Sequence, residues 1–324
     1  MANTPTEQSA KTNRASSYID AAAIMRIKNL ELRAKVVVEG FYNGLHRSPF
    51  HGFSVEFSEY RPYVVGDDPR YVDWKLWARS DRYYIKQFED ETNRRCHLVV
   101  DLSKSMQYGS IEYAKIDYAR TLAATFAYYL LLQRDNTGLF TFDESVIDYL
   151  PARYRPGHFR GLLSFLERKP QGTGTDLARP LNQVVQLVKK RGLVLLLSDV
   201  LTPVENLEKS FRYLRARGHD VMLLRVLDPA EVDFSFSQPT MFQDIESGRN
   251  LFIDPAEAKH EYVERFSKHE AQLKLLCDQL GIDFFTVRTD DPLDRALFDL
   301  LVAQIRRGRQ VAVGKSSSGG AVSA

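Results

Sequence analysis

The sequence predicts an α/β protein in which a doubly wound, mostly parallel sheet follows an N-terminal α+β accessory segment. Strand-like and helix-like segments alternate from about residue 96 onward, and several of the strand-like runs are continuously apolar. Such alternation is typical of doubly wound sheets, and continuous apolar runs are typical of parallel strands covered on both faces. The preceding region, 18–95, instead combines a helical stretch with β-like segments rich in charges and aromatic rings.

The composition fits a globular protein of this kind and disfavours other classes. The chain has 324 residues, 44% of them hydrophobic, and a formal net charge of +2. A dedicated nucleic-acid binder usually carries a basic excess on one face, so the near balance of charges argues against that class. Local basic clusters, "LVKKRG" and "QIRRGRQ", keep RNA binding as a third hypothesis, although helix C-termini favour such charges anyway.

The chain carries no sequence signal for secretion or for a membrane span. Its N-terminal residues lack an apolar core, and its longest apolar stretch, 122–132, is shorter than the roughly 20 residues that span a bilayer. The two cysteines, Cys96 and Cys277, form no disulfide or metal-binding pattern. We therefore expect a cytoplasmic protein without a membrane span, and disordered tails at 1–17 and 310–324.

Within the accessory region, 18–95, the pattern predicts a helical stretch from Asp20 to about Lys35, followed by mixed β-like segments. Farther along, "GDDPRYVDW" begins a stretch dense in charges and aromatic rings that contains both tryptophans, Trp74 and Trp77. Their spacing puts them on one face of a helix. Two interpretations remain open: the tryptophans pack this region onto the sheet, or they form a surface that binds a partner.

The predicted main domain, 96–309, contains five strands separated by amphipathic helices. Apolar side chains recur at steps of three and four between the strands, and Thr202 followed by Pro203 predicts the beginning of one helix. The predicted strands are His97–Val100, Gly138–Phe142, Leu193–Leu197, Val221–Leu227 and Phe284–Val287.

Polar side chains follow the first of these strands. In the string "DLSKS", Asp101, Ser103 and Ser105 present one carboxylate and two hydroxyls at alternate positions. Ligands of open α/β sheets bind at the carboxyl ends of the strands, and Mg²⁺ prefers oxygen ligands in an octahedral arrangement. The string therefore predicts part of a divalent metal site. The alternative is a polar cluster that caps the following helix.

Two more oxygen donors lie where a metal site at this edge would need them. Thr175 is in the glycine-rich loop "GTGTDL", and Asp199 ends the apolar strand "LVLLLSD". Each has a plainer alternative, a helix cap for Thr175 and a turn cap for Asp199. We expect five side chains to surround Mg²⁺ or Mn²⁺ and to leave one coordination position open: Asp101, Ser103, Ser105, Thr175 and Asp199.

Three other polar residues are interpreted as structural. Asp143 and Asp228 also follow strands, but "FDES" and "LDPAE" are ordinary turn sequences. His269 lies on the apolar face of a predicted helix, where a lone histidine is more often a hydrogen-bonded boundary residue than a ligand.

The aspartate at the strand end also raises the alternative of a metal-dependent hydrolase. A phosphatase of the haloacid dehalogenase type has a catalytic aspartate at this place, but its chemistry needs a second aspartate where this chain has Ser103. The chain has no GxSxG, HExxH or Walker A motif. We therefore expect a binding protein rather than an enzyme, with the phosphatase-like hydrolase as the alternative.

The motifs resemble two known families. "DLSKSM", "GTGTDL" and "LLLSD" are similar to the metal-ion-dependent adhesion site of von Willebrand factor type A (vWA) domains. The segment from "FSVEFSEY" to "YYIKQFEDE", together with "VLDPAEVDF" and "FQDIESG", resembles the bacterial family catalogued as domain of unknown function 58. The resemblance covers nearly everything between the two tails.

The resemblance implies a vWA-like or Rossmann-like sheet and a binding module. It implies that Ser103 and Ser105 ligate the metal directly and that Thr175 and the aspartates do so directly or through water. An acidic residue of a protein partner then completes the coordination. The resemblance also implies association with a MoxR-type AAA+ ATPase and a chaperone-like role in the assembly or remodelling of client protein complexes.

Overall fold

The computed structural model describes residues 20–47, 60–64, 83–86, 94–169, 177–236, 238–243, 248–300 and 302–303. Three regions that the sequence singled out lie outside these residues. They are the predicted tails, the segment that contains Trp74 and Trp77, and the loop that contains Thr175.

The strands form one six-stranded main sheet and two separate antiparallel pairs. Strands β1 (Tyr60–Pro62) and β2 (Tyr84–Lys86) pair antiparallel. The main sheet consists of β3 (Arg95–Asp101), β4 (Asn136–Phe142), β5 (Val146–Arg153), β6 (Leu193–Ser198), β7 (Asp220–Leu227) and β10 (Asp283–Arg288). A second antiparallel pair, β8 (Thr240–Gln243) and β9 (Asn250–Ile253), stands between β7 and β10 in the chain.

The order of strands in the main sheet is β10-β7-β6-β3-β4-β5. All neighbours run parallel except β5, which pairs antiparallel with β4 at one edge. From β3 the chain adds β4 and β5 on one side and then returns through β6 to the other side. The crevice at the carboxyl ends of β3 and β6 is therefore the topological switch point, where ligands of such sheets bind.

Helices cover both faces of the sheet, so the predicted doubly wound, mostly parallel α/β fold is confirmed. One face packs against α1 (Ala21–Met25), α2 (Leu30–Arg47), α3 (Lys115–Leu132), α4 (His158–Leu166) and the helical residues 293–300. The other face packs against α5 (Ala178–Leu187), α6 (Glu205–Ala216) and the C-terminal part of α8 (Pro255–Leu280). A short helix, α7 (Pro229–Asp233), lies between α6 and α8 in the chain. None of the helices in the described part of the chain is both long and apolar enough to cross a bilayer.

The N-terminal helices share the core of the main sheet. Phe41 of α2 is fully buried, and its ring centroid lies 5.8 Å from that of Tyr129 in α3 and 4.9 Å from that of Phe298. The guanidinium of Arg33 donates a hydrogen bond to the main-chain oxygen of Met25 (2.7 Å) and so joins α2 to α1. Helices α1 and α2 are therefore part of the layer that covers this face of the sheet.

The five predicted strands are all present, with ends that differ by at most two residues. Strands β5, β8 and β9 were not predicted. The helical stretch predicted from Asp20 to about Lys35 consists of two helices, and the second continues beyond the predicted end to Arg47. Each has its own side-chain cap: Asp20 accepts from the Ala22 amide (3.2 Å), and Asn29 accepts from the Leu32 amide (2.8 Å).

The predicted beginning of α6 is wrong. We expected Thr202 to cap this helix and Pro203 to be its first residue, but α6 begins at Glu205 after Val204, without a side-chain cap. The main-chain oxygens of Pro203 and Val204 accept from amides three residues on, which makes a tight turn before the helix. The main-chain oxygen of Thr202 is bonded instead to His269 Nε2 (2.9 Å).

His97 makes stability depend on pH. Burial within β3 lowers the pKa of this imidazole from 6.5 to about 4. Between these values the unfolded chain binds a proton that the folded protein does not, so stability is lost as the pH falls from 6.5 towards 4. We expect the free energy of unfolding to be lower by about 2 kcal/mol at pH 5 than at pH 7 on account of His97. Urea unfolding at both pH values measures this difference.

The controls are two glutamine variants. His97→Gln should remove the share of the pH dependence that His97 contributes, whereas replacing the exposed His260 in the same way should leave it unchanged. Equal pH dependence in wild type and His97→Gln would contradict the assignment.

Candidate metal centre

Asp101 is the last residue of β3 and lies fully buried at the switch point. Its Oδ1 accepts a hydrogen bond from the Ser103 amide (2.9 Å), and its Oδ2 accepts one from Ser198 Oγ (2.6 Å) at the end of β6. These bonds fix the carboxylate between the two strands that border the crevice. Each oxygen keeps a lone pair for a further ligand.

The hydroxyls of Ser103 and Ser105 lie side by side next to this carboxylate. Their Oγ atoms are 3.1 Å apart, and Ser105 begins a single turn of 3-10 helix, Ser105–Gln107. Two adjacent ligands of an octahedral Mg²⁺ with metal–oxygen distances of about 2.1 Å are separated by about 3.0 Å. The spacing of the two hydroxyls therefore fits two neighbouring positions in one coordination sphere.

Asp199 directly follows β6 and is also fully buried. Its Oδ2 forms an ion pair with Lys115 Nζ (2.9 Å), while its Oδ1 has no hydrogen-bond partner among the described residues. A buried carboxylate oxygen without a partner is costly, because it has lost the water that solvated it. Asp199 Oδ1 is thus an atom that a cation, or a water bound to a cation, would satisfy.

The pKa values at this edge reflect burial and charge. Burial, and then the negative charge of Asp199, raise the pKa of Asp101 to about 7. Burial also raises the pKa of Glu231. Burial alone would lower the pKa of Lys115, but the carboxylates of Asp199 and Glu231 outweigh it and raise that pKa. Lys115 is therefore a fixed positive charge, and Asp101 is a carboxyl group that a nearby cation would ionise.

The structure brings four of the five predicted ligands to the same edge of the sheet. Asp101, Ser103 and Ser105 come from the segment after β3, and Asp199 comes from the end of β6. Thr175 lies outside the described residues. Within the described part of the chain no three His, Cys, Asp or Glu side chains form a metal-binding group, so a cation here would depend on serine hydroxyls as well as carboxylates. That mixture of oxygen donors fits a hard divalent cation.

The three residues interpreted as structural have structural contacts. Asp228 caps α7 by accepting from the Ala230 amide (2.8 Å), and it also accepts from the amide of Ser110 (2.8 Å). Asp143 accepts from the Ser145 amide in a turn (3.3 Å). Both ring nitrogens of His269 are within hydrogen-bond distance of a partner, Thr202 O and the guanidinium of Arg225.

Four residues at this edge were missed from the sequence: Lys115, Ser198, Arg225 and Glu231. Ser198 could have been found, since it stands beside Asp199 at the end of an apolar strand. Lys115 and Arg225 are fully buried charges, and Arg225 donates from Nε to the main-chain oxygen of Asp199 (3.1 Å). The apolar strand around Arg225, Val221–Leu227, was a signal of its burial, whereas nothing in the local sequence distinguishes Lys115 from a solvent-exposed basic residue.

Taken together, the fold and the site define a doubly wound α/β protein with an oxygen-lined crevice at its switch point. The chain belongs to the family described as "Protein of unknown function DUF58", whose model matches residues 59–272. Uncharacterized proteins of Mycobacterium bovis and Mycobacterium tuberculosis are each 29% identical over 269 residues, which cover 82% of this chain and 84% of theirs.

Solved structures that resemble the chain have low sequence identity to it. The conserved hypothetical protein BatB from Bacteroides thetaiotaomicron has a TM-score of 0.42 and 15% identity, over 65% of this chain and 98% of its own. A VWA domain has a TM-score of 0.37 and 9% identity, over 63% of this chain and 93% of its own.

Proposed function

We propose that this protein is a binding module that recognises a protein partner through a divalent cation, Mg²⁺ or Mn²⁺, at the carboxyl ends of β3 and β6. The partner offers an acidic side chain to the cation. The observation that carries the proposal is the pair of serine hydroxyls, Ser103 and Ser105, at the spacing of adjacent metal ligands beside Asp101.

Each residue of the crevice would have its own role in holding the cation. Ser103 and Ser105 would ligate the cation directly. The Asp101 carboxylate would face the cation and would also hold the serine segment in place by accepting a hydrogen bond from the Ser103 amide. Asp199 would contribute its free Oδ1, and Thr175 would add one further oxygen. When bound, the cation supplies an electrophilic position that accepts a carboxylate from outside the protein.

The charge of the crevice supports a dication. Among the described residues at this edge, five carboxyl groups that are buried or nearly so accompany only two buried cations: Asp101, Asp143, Asp199, Asp228 and Glu231 against Lys115 and Arg225. A buried excess of negative charge is unfavourable unless it is neutralised. A divalent cation would offset most of this excess, and the serine ligands would leave it attractive to one more carboxylate.

The choice of partner rests on the family. Association with MoxR-type AAA+ ATPases, which the resemblance to the DUF58 family implies, supports such an ATPase, with its client complex, as the macromolecule that is bound. Serine stands at position 103, where a phosphatase of the haloacid dehalogenase type needs its second aspartate, and this favours binding over phosphate-ester hydrolysis.

Affinity purification from the native cell tests the proposal. The tagged wild-type protein should recover an AAA+ ATPase in Mg²⁺ buffer. EDTA should lower that recovery at least about tenfold, because coordination bonds through the cation would hold the complex together. Quantitative mass spectrometry of the two eluates measures the difference.

Two variants sharpen the experiment. Asp101→Ala should behave in Mg²⁺ as the wild type does in EDTA. Asp143→Ala is the matched control, because Asp143 also follows a parallel strand at this edge, but among the described residues its carboxylate accepts a hydrogen bond only from Ser145 in its own turn. Recovery of the ATPase that neither EDTA nor Asp101→Ala reduces would refute the metal-dependent mode of binding.

A further inference from the structure

Lys115 is a fully buried ammonium group within the candidate metal centre. It is the first residue of α3, and its Nζ lies 2.9 Å from Asp199 Oδ2 and 2.6 Å from Glu231 Oε1. Taking a lysine out of water is costly, and two carboxylates are the compensation that keeps it charged. Its position is therefore fixed from two sides, by the end of β6 and by α7.

The ion pair makes the two oxygens of Asp199 unequal. Oδ2 is held by Lys115, whereas Oδ1 is buried without a partner in the described part of the chain. Asp199 can thus present one oxygen to a cation in the crevice, but it cannot clasp that cation with both. The ammonium also offsets part of the negative charge that Asp199 would otherwise direct at the cation.

The same lysine opposes the binding of any cation nearby. Asp199 directly follows Ser198, whose hydroxyl donates to Asp101 Oδ2 (2.6 Å), and Lys115 Nζ lies 2.9 Å from Asp199 Oδ2. The two carboxylates and the ammonium group therefore lie together at the ends of β3 and β6. In a buried environment the repulsion between an ammonium group and a dication is poorly screened. A cation held by Asp101, Ser103 and Ser105 would therefore be bound less tightly than the oxygen ligands alone would allow.

We propose that Lys115 is a positioning residue that limits the intrinsic metal affinity of the site by holding Asp199 through one oxygen, so that tight binding of the cation requires a carboxylate from the partner. This inference rests on the proposed function. It adds a reason for the dependence on an acidic partner: the carboxylate of Asp199 is already paired with the ammonium group of Lys115.

Titration of the full-length protein with Mn²⁺, followed by the electron paramagnetic resonance signal of free Mn²⁺, tests the inference. Lys115→Met keeps the length of the side chain and removes its charge. We expect this variant to bind Mn²⁺ at least about tenfold more tightly than the wild type, since a like charge has been removed from the site. Lys115→Arg, which keeps the positive charge, should stay near the wild-type affinity.

A matched variant separates this role from a purely structural one. Glu231→Gln also breaks an ion pair of Lys115 but leaves the ammonium beside Asp199, so it should change the Mn²⁺ affinity much less than Lys115→Met does. If Lys115 only joined α3 to α7, the two variants would have similar effects. Circular dichroism checks that each variant is folded, and the double variant Lys115→Met/Glu231→Gln replaces Lys115→Met should the latter not fold.

The outcomes distinguish the inference from the proposed function. If wild type binds Mn²⁺ and the folded Lys115→Met variant binds it equally or more weakly, the inference is wrong and the metal site stands. If wild type and the folded Lys115→Met variant, from which the opposing charge has been removed, both fail to bind Mn²⁺, the proposed function is wrong and the inference falls with it.

Discussion

Replacement of Asp101 by alanine is expected to lower the affinity of the protein for Mn²⁺ at least about a hundredfold, the upper end of what loss of a supporting side chain costs a metal site. Asp101 is buried between the ends of β3 and β6, and its carboxylate both faces the crevice and holds the Ser103 amide. The variant therefore loses a negative charge and the support of a serine ligand together. Mn²⁺ titration measures the loss.

The control for this prediction is Asp143→Ala. Asp143 follows β4, the neighbour of β3 in the sheet, and it is nearly as well buried as Asp101. Its carboxylate accepts only the turn hydrogen bond from Ser145 in the described structure, so the variant should bind Mn²⁺ as the wild type does. Equal Mn²⁺ affinities for wild type and a folded Asp101→Ala variant would count against a metal centre at this position.

Replacement of Phe41 by alanine is expected to lower the free energy of unfolding by about 3–5 kcal/mol. The Phe41 side chain is fully buried between α2, α3 and the helical residues 293–300, where it meets Tyr129 and Phe298 edge to face. The truncation removes these ring contacts and leaves a cavity in a layer that covers the sheet. Urea unfolding of wild type and variant measures the difference.

Leu32→Ala is the matched control for Phe41→Ala. Leu32 lies in the same helix but is 48% exposed, so its truncation should change the free energy of unfolding by no more than about 0.5 kcal/mol. Similar small effects for both variants would show that α2 does not contribute to the core in solution.

The strands that could be predicted are those whose burial produces a clear hydrophobic pattern in the local sequence. Strands β3 and β6 are covered on both faces, and each contains an uninterrupted apolar run, Leu98–Val100 and Leu193–Leu197, that predicts a buried strand. Strand β5 was missed because it is an antiparallel edge strand that contains Pro151, and its burial is irregular. Strands β8 and β9 were missed because most of their side chains face solvent.

The candidate site divides in the same way. Asp101 and Asp199 could be assigned to one edge because parallel strands end together, and the alternation in "DLSKS" brought in the serines. Lys115 could not be assigned, since a lysine at the beginning of an amphipathic helix is normally exposed. Only the tertiary structure buries it, where it pairs with Asp199 after β6 and with Glu231 of α7.

The hydrogen bond from Ser198 to Asp101 joins residues that are 97 positions apart in the chain. At ordinary rates of translation, about 5–20 s separate their emergence from the ribosome. A nascent chain in which β3 has emerged but β6 has not therefore lacks the side of the crevice that Ser198 and Asp199 form. A partner that requires the whole crevice would distinguish finished molecules from incomplete ones without any separate quality-control signal.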